Sequence, residues 1–97
     1  MFAIFNIIEE GARGIDDYFS YETDRKQAID TFNEADGFLQ YGESLHLYEL
    51  PNHTPDTLSE EVIAQLKAGD ASSVDGAKLI MEEDYSFSEE AGETYSR

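Results

Sequence analysis

The chain has 97 residues, with 22 Asp and Glu against six Lys and Arg, a formal net charge of −16 and no Cys. That length leaves room for one domain, the missing thiol excludes disulfides and thiolate metal sites, and the charge opposes direct binding to nucleic acid or anionic lipid. With 40% apolar residues, six Phe and six Tyr, the chain can form a small core despite an acidity that often accompanies disorder.

Residues 1–8 (MFAIFNII) are apolar at both alternating positions, the pattern of a central strand or one covered on both sides. They carry no basic stretch and run into Glu9 and Glu10, unlike a signal peptide. No apolar run approaches membrane-spanning length, so the expected location is intracellular, without a membrane partner. Residues 9–16, with Gly11 and Gly14, read as a loop, and 18–21 (YFSY) as a second strand. Asp24 is placed to cap a helix, with Gln27 three residues later. Ala28, Ile29, Phe32 and Ala35 form its apolar stripe, and Gly37 ends it.

Residues 44–50 (SLHLYEL) predict a third strand, stopped by Pro51. Thr57 and Glu60 suggest a capping box for a second helix over 58–68, with Leu58, Val62 and Leu66 inward and Gly69 beyond its end. Residues 77–81 (AKLIM) read as a fourth strand, a short helix being the alternative. The acidic tail carries Tyr85, Phe87 and Tyr95, and 85–97 is expected to be the loosest part of a single domain, 1–97.

The order β-β-α-β-α-β implies an α/β (or α+β) two-layer sandwich. A mixed sheet of three or four strands would carry both helices on one face, because right-handed crossovers join parallel strands. If each helix returns the chain to the end where the second strand starts, Glu9, Glu10, Asp16, Asp17, Glu34, Asp36, Glu43, Asp70 and Asp75 gather there against Arg13. Asp30 and Glu34, one helical turn apart, add a pair of carboxylates at a spacing of about 5–6 Å. These residues are the expected partner-binding surface.

The segment 32–43 falls near calcium-loop spacing, with Glu34, Asp36, Gly37 and Glu43 at ligand or turn positions. Phe32 stands where the first ligand belongs, so a helix end and turn explains the segment better. His46 and His53 are too few and too scattered for a metal triad, and His53 has no nucleophile at a telling spacing. No phosphate-cradling glycine motif is present, and so short a chain is a poor host for a carboxylate-lined sugar cleft. No catalytic residue, metal or cofactor is assigned. Aromatics could stack bases only beside a cationic groove, which six basic residues cannot build; they are assigned to the core or to a protein interface.

A domain of this length would be about 30 Å across, and duplex DNA carries sixteen charges in about 27 Å. The expected partner is therefore cationic: a nucleic-acid-binding protein, a basic peptide or a metal ion. In length, acidity, aromatic content and lack of catalytic residues, the whole chain resembles the small acidic proteins by which phages disable host defences. These include anti-CRISPR proteins, anti-restriction proteins and the uracil-DNA glycosylase inhibitor. The resemblance contains no motif, so it transfers no residue role. It implies an inhibitor, monomeric when free, that acts in the host cytoplasm by occupying the DNA-binding surface of a Cas effector, a type I surveillance complex being favoured. The alternatives are an acidic adaptor or scaffold for a basic partner, and a structural phage protein.

Overall fold

Strand β1 (Phe2–Ile8) is buried from Phe2 through Asn6, on both of its faces. A strand with no side for water must lie inside a sheet and be covered above and below. In the computed structural model, which describes residues 1–9, 17–74 and 76–85, this is how it sits. Strands β2 (Phe19–Glu22), β3 (Glu43–Glu49) and β4 (Lys78–Tyr85) complete a sheet of order β2-β1-β3-β4. Every neighbouring pair is antiparallel. The element order, β-β-α-β-α-β, follows the sequence expectation.

Helix α1 (Arg25–Asp36) is capped by Asp24, whose carboxylate accepts from the Gln27 amide at 3.0 Å. Its stripe of Ala28 and Phe32, flanked by Ile29 and Ala35, packs on Phe2, Ile4, Leu45 and Leu47. Helix α2 (Glu60–Lys67) starts after Ser59, whose hydroxyl accepts from the Val62 amide at 3.3 Å. Thr57 is therefore not its cap; it closes the preceding turn, accepting from the Thr54 amide at 2.8 Å. Gly69 ends α2 with φ +82°. The Gly69 amide donates to Leu66 and the Asp70 amide to Gln65, the paired bonds by which a left-handed glycine terminates a helix.

Leu66, with Leu58 and Val62 beside it, packs on Ala3, Phe5, Leu50 and Val74. Ala3 and Phe5 alternate with Phe2 and Ile4 along β1, so α1 and α2 cover opposite faces. This overturns the expectation of both helices on one face, and the sheet is antiparallel rather than mixed. The physical reason lies in β1, which is apolar on both faces and so needs a cover on each. With α1 on the first face, α2 covers the second, and the chain then turns back beside β3.

Consequently β4 begins next to Glu49 and ends next to Glu43, as a strand longer than residues 77–81 and not a helix. Two ends of the sheet can be named by β1. The Phe2 end holds Glu22, Glu49 and Lys78; the Ile8 end holds Glu43, Tyr85 and the start of β2. The body is elongated, with a radius of gyration of 13.6 Å and extents of 43 × 25 × 22 Å. Its charge is thus spread more thinly than the compact sphere expected from length, and more thinly than one per roughly 1.7 Å of DNA.

With covers on both faces, truncating either should be costly. Phe32→Ala and Leu66→Ala are each expected to lose about 2–5 kcal/mol, measured by urea denaturation. A near-neutral Leu66→Ala would contradict the second cover.

Candidate functional site

Three segments converge at the Ile8 end. Gly42, with φ +96°, accepts from the Glu9 amide at 2.9 Å and donates to the Tyr85 carbonyl at 2.7 Å. One residue in a backbone conformation that favours glycine thereby ties the end of β1, the turn before β3 and the end of β4. Asn6 completes the end from within β1. Its side-chain oxygen accepts from the Tyr18 amide at 2.9 Å, and its Nδ2 donates to Glu43 Oε2 at 3.3 Å.

Glu43 Oε1 accepts from the Gln40 amide at 3.0 Å. This carboxylate is only 4% exposed, the one buried acidic residue among the described residues. It lines a cavity of about 350 Å³, with Asn6, Tyr18, Ala35, Phe38 and Leu39 among the walls. A shallower depression of about 540 Å³ adjoins it, lined by Tyr18, Thr31, Glu34, Ala35 and Phe38. Phe38 borders both and is 83% exposed, an arrangement that leaves a large ring uncovered.

The sequence-predicted carboxylates are partly gathered here. Glu34 and Glu43 flank Phe38 in the two depressions. Glu9 and Asp36 are half-buried where β1 and α1 reach this end. Asp17, just before β2, is held in an ion pair by Lys67. Asp30 lies farther back on α1, paired with Lys26 at 3.8 Å. Asp70 follows α2 just beyond Lys67, and its carbonyl accepts from the Ser73 hydroxyl at 2.8 Å, closing the 3-10 turn at Ala71–Ser73. Glu10, Asp16 and Asp75 lie outside the described residues, as do residues 86–97 of the tail.

Glu43 also departs from the expectation of a surface contact, because it faces the α1 side of the sheet beside the Asn6 amide. Phe32, the residue at the first calcium-loop position, is buried in the core beneath α1. Among the described residues, no three His, Asp or Glu converge to hold a metal ion. No helix among them is long and apolar enough to cross a membrane.

Sequence reasoning missed Asn6 and Phe38, and placed Glu82, Glu83 and Asp84 in a tail instead of on β4. The signal for Asn6 was available, as the lone polar residue in an otherwise apolar strand. The opposite face of β3 and β4 carries a second polar group. Ser44 Oγ lies 2.9 Å from His46 Nε2, and His46 Nδ1 lies 4.0 Å from Glu82 Oε2. The order imitates a nucleophile, a base and an orienting carboxylate, but 4.0 Å is beyond hydrogen-bond reach, so Glu82 does not fix the imidazole tautomer. The ring stacks instead against Phe5 at 5.5 Å. His53 has a buried Nδ1 without a hydrogen-bond partner among the described residues.

No protein-family model, curated protein or solved structure matches the chain.

Burial holds the His46 imidazole below its ordinary value of 6.5, while Glu82 and Asp84 oppose the shift. The unfolded chain therefore takes up this proton first as pH falls. The stability that neutral His46 contributes above pH 6.5 should be lost as pH drops through the lower folded value. His46→Gln should remove that loss, so the difference between the two proteins in thermal midpoint should change between about pH 7 and pH 5. A difference that stays constant across this window would mean that His46 does not titrate as described.

Proposed function

We propose that the protein is a phage-encoded inhibitor that mimics DNA and occupies the basic DNA-binding surface of a host defence complex. A type I CRISPR surveillance complex is the favoured target. The observation that supports this is the distribution of charge around a small core. Among the described residues every acidic side chain except Glu43 keeps some solvent exposure, and the Lys and Arg available to them are only Arg25, Lys26, Lys67 and Lys78. Most surface carboxylates thus face water with no cation to neutralise them. Keeping so much like charge on one small body destabilises it, which favours a role for that charge outside the fold.

Carboxylates at the Ile8 end and along the exposed stretch Glu82, Glu83 and Asp84 would pair with Lys and Arg that otherwise hold phosphate. Arg donates to carboxylate and phosphate in the same bidentate manner, so a protein can satisfy these donors without being unwound or cut. The charge would also steer fast encounter. In this reading the protein is not an enzyme, binds no nucleic acid itself, and acts in the host cytoplasm as a monomer.

A second reading, an acidic adaptor that leaves the DNA site open, has its own support. Phe38, Tyr41 and Tyr85 are exposed near the Ile8 end, and aromatic anchors are more typical of protein interfaces than of a phosphate track. The two readings differ in exclusivity. With a purified type I surveillance complex, a mimic and target duplex should each prevent binding of the other. A stable ternary complex at physiological salt would overturn mimicry and favour the adaptor.

Charge reversal localises the surface. Glu34→Lys with Glu83→Lys should weaken binding to the complex by about tenfold or more, through loss of charge-assisted bonds. Asp56→Lys with Glu61→Lys, an equal charge change placed away from the Ile8 end, should have a much smaller effect. Binding should weaken with added salt as exposed pairs are screened, with a shallower slope than that of DNA, which alone releases a condensed counterion layer. Equal effects of the two double variants would count against a localised acidic site.

A further inference from the structure

Glu43 is costly where it stands. A buried carboxylate is normally paired with a cation or removed from the charged state, yet its two hydrogen-bond donors, Gln40 N–H and Asn6 Nδ2, are neutral amides. No Lys, Arg or His among the described residues forms an ion pair with it. Each carboxylate oxygen has two lone pairs and receives one of these bonds, so both retain acceptor capacity. The cavity the residue lines, about 350 Å³, falls at the small end of the range for ligand sites, roughly 300–1,000 Å³. Ala35, Leu39 and Leu45 give it an apolar side opposite the polar Asn6, Tyr18 and Gln40, and Phe38 stands exposed at its border.

We propose that this pocket is an anchor for one arginine side chain presented by the partner. The guanidinium would meet the two Glu43 oxygens, the aliphatic stem would lie along Ala35 and Leu39, and the Phe38 ring would stack on the cation. Arginine fits better than lysine for three reasons. Its planar fork matches two acceptor oxygens, it sheds water more readily, and it stacks on aromatic faces. The proposal rests on the reading of a basic partner, but it adds a site that a phosphate track lacks: a fixed carboxylate beside apolar side chains and an exposed ring.

The test uses the chain alone, with N-acetyl-arginine N-methylamide as the probe and backbone amide NMR as the readout. Saturable shifts are expected at Gln40, Glu43, Leu39 and Tyr18. The corresponding lysine compound should bind about threefold more weakly, and the neutral citrulline isostere should give no saturable shift. Glu43→Gln should weaken binding about tenfold or more. Phe38→Ala, at a position outside the core, should weaken it about threefold and keeps the test decisive if Glu43→Gln misfolds. Binding of citrulline equal to that of arginine would overturn the anchor, as would shifts spread evenly over the surface carboxylates or unchanged affinity in Phe38→Ala. Failure here would leave the competition with DNA standing as a separate test. Conversely, arginine binding without competition for DNA would remove mimicry and keep the pocket.

Discussion

Strand β1 imposes the constraint on which the architecture depends, because it offers water no face. Phe2 and Ile4 point one way and Ala3 and Phe5 the other, all buried, so both layers of the sheet need a cover. A single-sided sandwich would leave one of these pairs in water. At about 25 cal/mol per Å² of apolar surface, a large side chain left exposed forfeits roughly 1.5–3 kcal/mol, a serious loss for a domain whose whole stability is on the order of 5–15 kcal/mol. Helix α1 takes the first face, and α2, with Leu50 and Val74, takes the second. Phe5 also holds neighbouring strands together, with Phe19, His46 and Tyr48 rings stacked at 6.2, 5.5 and 5.8 Å.

The same constraint determines where charge can go. With β1 and β3 central, most acidic residues lie on helix surfaces, connections and the edge strands, and β3 carries acidic residues only at its two ends, Glu43 and Glu49. Glu82, Glu83 and Asp84 lie on β4, which is an edge of the sheet among the described residues. Charged side chains along such an edge discourage pairing with another sheet. The acidity of β4 would then oppose pairing with another copy of the chain, in addition to any role in binding. The two roles are compatible, since a surface that repels its own copies remains free for a cationic partner.

Much of the fold was legible in the sequence because local signals and tertiary packing agreed. Asp24, the Ala28–Phe32 stripe and Gly69 each act as their positions suggested. The cap of α2 was misplaced because Thr57 and Ser59 both satisfy the local chemistry, and the Thr54–Thr57 turn takes the first. The larger error lay in treating α2 as a full crossover. The doubly apolar pattern of residues 1–8 already required a cover on each side, and this should have outweighed the handedness argument. Reversal of β4 followed, bringing Glu82, Glu83 and Asp84 towards the acidic end. Charge density, read from length alone, also assumed a sphere where the body is elongated.

Glu43 shows why the site was harder to read than the fold. In the sequence it is one carboxylate among 22, and nothing in the local pattern marks it as different. Its character depends on Asn6, 37 positions away, and on a glycine at positive φ one residue before it. Asn6 interrupts the apolar face of β1, and its two amide atoms link Tyr18 to Glu43, so the polar pair lies where α1 ends and no longer covers the sheet. Gly42 then turns the chain so that Glu43 enters β3 facing inward instead of joining the carboxylates in solvent. The outer acidic surface can attract many cations at long range, but screening and freely moving side chains give it little power to choose between them. A carboxylate fixed by two amides, beside Ala35, Leu39 and an exposed ring, can discriminate by shape and charge together. The long-range and short-range elements thus lie at the same end of the molecule, where one can guide a basic partner and the other can select it.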